Sequence, residues 1–149
     1  MRYYIAIEKN IEVFERYRVL WNKLGIDGIR VGTMAAGIEK AIEIEKSKIE
    51  ELYFISIVAS DIDFMPQLKI LSDEADAPIL IATANYDAEE HHQALGNGAD
   101  FYGGFFDDSE QNINMVLASI NSIDRRVKKK KLFSKIMIYN GILLSKVQQ

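Results

Sequence analysis

Apolar positions along the chain alternate between two rhythms. Short, nearly unbroken apolar runs lie at Tyr3 to Ile7, Gly28 to Val31, Leu52 to Val58, Ile79 to Ala82 and Ala99 to Tyr102. Between them lie longer segments whose apolar residues recur every three or four positions. The first rhythm suits strands covered on both faces, and the second is that of amphipathic helices. Asn10 is a fair N-cap for a first helix with Ile11, Phe14, Tyr17, Leu20, Trp21 and Leu24 on its apolar side, ended by Gly25. Thr33 caps a second, with Ile38, Ala41, Ile42 and Ile44 inward. A third covers Phe64 to Leu71, and a fourth runs from Asp87 to Leu95, closed by Gly96 or Gly98. Asp108, with Gln111 three residues on, resembles a capping box at the head of a fifth helix carrying Ile113, Val116, Leu117, Ile120, Ile123 and Val127.

Strands separated by helices predict parallel pairing and right-handed crossovers. The expected body, residues 1–124, is a doubly wound five-stranded α/β sheet with helices on both faces. Function in such sheets gathers beyond the carboxyl ends of the central strands. The run Leu52 to Val58 is the central candidate, and Ser56 is the one polar side chain set into it.

The pattern then changes. Residues 125–131 hold Arg125, Arg126 and Lys128 to Lys131, so the chain's net charge of −4 becomes −10 once these six are set aside. Cations suit the end of a helix and a linker, and they also suit nucleic-acid phosphates. Beyond them, two apolar runs flank Asn140-Gly141, a strong hairpin signal because both central residues of a type I′ turn need φ > 0. A lone hairpin is marginal in water, so residues 132–149 read as the start of a further domain.

Composition narrows the chemistry. There is no cysteine, which removes disulfides and thiolate nucleophiles or metal ligands. The N-terminus enters a strand-like run without a signal-peptide pattern, and no apolar run reaches membrane-spanning length, so a cytoplasmic location without membrane partners is expected. His91 and His92 are adjacent and would point about 100° apart on a helix. They read as surface histidines rather than a chelating pair. No G-x-S-x-G surrounds Ser56, and the glycines form no phosphate-binding loop. No enzyme, cofactor or metal is expected.

Three segments carry a resemblance. Glu51 to Phe64 is similar, without a gap, to the response-regulator receiver pattern D-L-V-L-L-D-L-M-L-P-x-M-D-G. Pro78 to Ala84 is similar to P-V-I-x-L-T-A, and Asn97 to Tyr102 to x-G-A-D-D-Y. Three pieces in this order make the chain resemble a receiver domain, with the flavodoxin-like sheet that implies. In that family two acidic residues and a strand-three aspartate hold Mg²⁺, the aspartate takes a phosphoryl group from a histidine kinase, and a Thr, a Lys and an aromatic residue respond. Here the acidic pair falls on Glu8 and Lys9, the phospho-acceptor on Ser56 and the lysine on Phe105, while Thr83 and Tyr102 are kept. Serine cannot form an acyl phosphate, a carboxylate with an ammonium cannot replace two carboxylates at a divalent ion, and phenylalanine brings no charge to a phosphoryl group. Lys9 could substitute for the metal by pairing with Glu8 or Asp61.

The resemblance therefore implies a pseudo-receiver that works without aspartyl phosphorylation, with no histidine kinase as donor. It would serve a transcriptional regulator of the winged-helix class, form homodimers through its fourth and fifth helices, and meet DNA through a missing C-terminal domain. Tyr102 is either a switch or a static core residue. The alternative function is a small-ligand-binding sensory module using the altered pocket.

Overall fold

The computed structural model describes residues 1–104 and 113–123. Phe105, the Asp108–Gln111 capping box, the basic run 125–131 and the hairpin of residues 132–149 lie outside them. Five strands, β1 (Arg2–Ile7), β2 (Ile26–Val31), β3 (Glu51–Val58), β4 (Ile79–Ala82) and β5 (Phe101–Gly103), pair in parallel in the order β2-β1-β3-β4-β5. The connecting helices are α1 (Ile11–Asn22), α2 (Met34–Lys46), α3 (Met65–Glu74) and α4 (Ala88–Gly96), with α5 at 113–123. The chain leaves β1 for β2 and then crosses back to β3. That reversal opens a crevice at the carboxyl ends of β1 and β3.

Local chemistry accounts for the helix starts. Asn10 Oδ1 accepts from the Val13 N–H at 3.2 Å, Thr33 Oγ1 from the Ala36 N–H at 3.1 Å, and Asp87 Oδ1 from the Glu90 N–H at 3.0 Å. Each satisfies an amide that the helix itself leaves open. Ile11 and Leu24 differ from expectation, being exposed. Ile11 is the first residue of the helix and Leu24 lies two residues past its end, while Phe14 and Trp21 between them are buried.

Alternation along each strand builds two cores. Ile5, Ile7, Ile55, Ile57, Ile79 and Ile81 face α2, α3 and α4. Tyr4, Ala6, Phe54 and Leu80 face α1 and α5. On the second side the Tyr4 and Phe54 rings stack 4.9 Å apart and 1° from parallel, with Trp21 tilted against Phe54 at 5.0 Å. Gly28 makes room for this: a Cβ there would meet the Tyr4 ring and hydroxyl at 2.6–2.7 Å. A side chain at that position on β2 would push the aromatic stack off the sheet.

Candidate functional site

Glu8 follows β1 directly and sits at the crevice. Its amide donates to the Val31 carbonyl at 3.0 Å, and its own carbonyl accepts from Arg30 Nη1 at 3.1 Å. The side chain is only 5% exposed. Its carboxyl closes no hydrogen bond or ion pair among the described residues. Burial pushes its pKa up to about 7, the negative charge of Asp61 adds to the rise, and Arg30 opposes it. A desolvated carboxyl without a partner favours its neutral form.

Lys9 is exposed. Its backbone N–H donates to Asp61 Oδ2 at 3.2 Å. The expected pairing of its ammonium with Glu8 or Asp61 does not form, because the chain turns at this residue and presents the amide instead. The cation that acts on Glu8 is Arg30, from β2. Sequence reasoning passed over Arg30 because it is neither in a motif nor near Glu8 in the chain.

Strand register decides what Ser56 can do. It pairs with Ala6 on one side and Leu80 on the other. That is two residues, roughly 6–7 Å, short of the end of β3. On the same face, the residue level with the crevice is Val58, which pairs with Ala82, the neighbour of Thr83. Ser56 therefore lies within the sheet, between the Tyr4–Phe54 stack and Glu8.

Thr83 is buried, and its hydroxyl is engaged locally. Its Oγ1 accepts from the Asn85 N–H at 3.2 Å and donates to the Asn85 carbonyl at 3.0 Å. Its amide donates to the Gly103 carbonyl at 2.9 Å, which ties the end of β4 to β5.

Tyr102 points to the opposite face, toward α4. His91 lies flat on it, and Tyr86 meets both rings edge-on while its hydroxyl stands 2.7 Å from His91 Nδ1. The expected pair of surface histidines is therefore split. His92 is exposed, but His91 is partly buried in an aromatic cluster. Burial raises the Tyr102 pKa, and its hydroxyl makes no hydrogen bond of good geometry among the described residues although Thr83 and the Asp87 backbone are near.

A small cavity of about 70 Å³ runs between the sheet and helices α1 and α5, with Glu8, Ser56 and Val58 in its wall. It exists because Ala6 and Ser56, side by side in the register, are both small. Among the described residues, no group of three or more His, Asp or Glu side chains is placed to hold a metal ion, and no helix is long and apolar enough to cross a membrane.

This strand order, with helices on both faces and the crevice at β1 and β3, defines the flavodoxin-like fold of response-regulator receiver domains. The chain is similar to a two-component response regulator from Clostridium difficile, at 20% identity and a TM-score of 0.65, over 85% of this chain and 98% of that one. It is also similar to a response regulator receiver domain protein from Clostridium thermocellum, at 15% identity and a TM-score of 0.64, over 89% of this chain and 99% of that one. The beryllofluoride-activated NtrC4 receiver domain dimer matches at 13% identity and a TM-score of 0.62, over 82% of this chain and 98% of that one. No protein-family model and no curated protein matches the sequence.

Proposed function

We propose that the chain is an atypical receiver domain of a transcriptional response regulator, acting in signal transduction without aspartyl phosphorylation and through protein contact or dimerisation. The observation that carries this reading is the make-up of the crevice. Among the described residues, Glu8 is the one carboxyl buried there. The strand-three residue facing the same way is Val58 at the edge, or Ser56 two positions deeper. Neither an isopropyl group nor a hydroxyl forms an acyl phosphate. A single buried carboxyl with a pKa near 7 is also a poor Mg²⁺ ligand, since that hard cation asks for several oxygen donors.

The output surface would be α4 with α5, next to the Tyr86–His91–Tyr102 cluster. A structural neighbour is named as a receiver dimer, which supports looking for a homodimer here. Contact with DNA would belong to a domain following residue 131. The switch would be a shift between two packings around Tyr102, set by something other than phosphate.

The test is incubation of the protein with acetyl phosphate and Mg²⁺, followed by intact mass. The expected spectrum shows the unmodified chain alone; a stoichiometric phosphoryl adduct refutes the reading. Sedimentation at several concentrations tests the dimer, and a monomer at all of them removes that part.

A further inference from the structure

The cavity under α1 and α5 has an uncommon wall. At one end is the Glu8 carboxyl, 95% shielded and without a hydrogen-bond partner among the described residues. Along the strand face lies the Ser56 hydroxyl, which also closes no hydrogen bond among them. The rest is apolar or aromatic, with Val13 and Tyr17 from α1 and the Trp21 and Phe54 rings beyond. Among the described residues, the charged groups felt by Glu8 are Asp61, from the loop after β3, and Arg30, from β2. Together the three carry a net charge of −1 when both carboxyls are ionised, and Lys9, next in the chain, turns its ammonium to solvent. Among the described residues, α1 and α5 bring Val13, Tyr17, Trp21, Ile113 and Val116 to the cavity, and β1 adds the Tyr4 phenol, which feels the charge of Glu8.

Such a wall favours a guest with one positive charge, hydrogen-bond donors at that end, and a short apolar body. A carboxylate stripped of water gains most from a cation that also donates to it. Aromatic rings add attraction for a cation or its adjacent methylenes. Size restricts the guest further. A cavity needs roughly 10–15 Å³ of water-sized space to hold one water, so about 70 Å³ admits a guest of only a few heavy atoms. A divalent ion is poorly served by one carboxylate and one hydroxyl.

We propose that this cavity is a binding site for a short-chain primary amine, held as its ammonium between the Glu8 carboxylate and the Ser56 hydroxyl. The ammonium donates to both oxygens, and its carbon chain lies against Tyr17 and the ring cluster behind it. Binding is strongest where Glu8 is ionised, so it tightens as pH rises from 6 to 8. The site goes beyond the phosphorylation-independent reading and does not rest on it.

The experiment is thermal unfolding of the full chain titrated with ethylammonium chloride. Sodium chloride at equal ionic strength and ethanol at equal concentration serve as references. The expected result is a saturable rise in Tm with ethylammonium alone, larger at pH 8 than at pH 6, growing with concentration as ligand linkage requires. Glu8→Gln keeps the shape and removes the charge, and abolishes the rise. Ser56→Leu fills the space from β3 and abolishes it independently, which covers the case of a Glu8 variant that does not fold. No rise, an equal rise with sodium chloride or ethanol, or a rise that survives either substitution overturns the proposal.

Discussion

The His91 imidazole stacks on the Tyr102 ring with centroids 5.0 Å apart and planes 15° from parallel. The contact joins the middle of α4 to the middle of β5, and Tyr86 closes over both rings at 5.4 and 5.8 Å. Tyr102 is thus held inward by a lid drawn from the loop before α4 and from α4 itself. Aromatic pairs of this kind contribute about 0.5–1.5 kcal/mol beyond the area they bury. His91→Ala should lower stability by about 1 kcal/mol and release the Tyr102 side chain, read by urea unfolding and by the Tyr102 ring signals in NMR. An unchanged midpoint together with unchanged ring signals would mean that the stack does not hold Tyr102.

Glu8 should give the protein an unusual pH profile. Its folded pKa of about 7 lies above the ordinary carboxylate value of 4.5, so the folded state holds a proton the unfolded chain has released. Its contribution is therefore full below about pH 4.5 and is lost as pH rises through 7. The difference corresponds to roughly 3–4 kcal/mol at most, taking about 1.4 kcal/mol per pKa unit. Glu8→Gln should flatten this part of the curve and raise Tm at pH 8. Denaturant midpoints measured between pH 4 and 8 check both statements.

Asp27 should act in the opposite sense. Arg18 Nε donates to its Oδ1 at 2.9 Å and the Gly28 amide at 2.8 Å, and the Arg18 hydrogen bond above all holds the Asp27 pKa below its ordinary value. A depressed carboxyl pKa stabilises above the unfolded value and loses that contribution as pH falls through the folded one. Asp27→Asn should therefore weaken the protein at neutral pH and leave it little changed in strong acid. Acid titration of the variant beside the parent decides, and a constant offset down to low pH would contradict the assignment.

Gly37 sets two physical effects against each other. It lies inside α2, where alanine would gain about 1 kcal/mol of helix propensity. A Cβ there would collide with the end of the Ile7 side chain, which is fully buried. Overpacking a filled core costs typically about 1–3 kcal/mol, so the clash should win. Gly37→Ala should lower Tm, and the double change with Ile7→Val should recover part of the loss. A rise in Tm for the single variant would show that the helix shifts outward at little cost.

Much of the fold was legible from period and caps. Asn10 and Thr33 each do in space what their positions implied, because a cap is a contact between residues three apart. Alternation of strand and helix specified the parallel sheet, since sequential strands linked by helices have few other ways to cover both faces. The segments resembling a receiver are those where such local signals are strongest. Ile11 and Leu24 were misplaced because a helical stripe says which side is apolar but not how far along the helix burial extends.

The candidate site divides in the same way. The sequence by itself determined that Ser56 rather than an acid stands in the central strand, because that is a matter of which residues occur at all. Only the tertiary structure decided where Ser56 lies. Register between parallel strands is set by long-range pairing, and a shift of two residues keeps every side chain on its face while moving it roughly 6–7 Å along the strand. It likewise decided that Arg30 rather than Lys9 faces Glu8, and that His91 covers Tyr102. Those partners lie on different elements, and their meeting depends on how helices and strands dock, a property that composition and spacing do not contain.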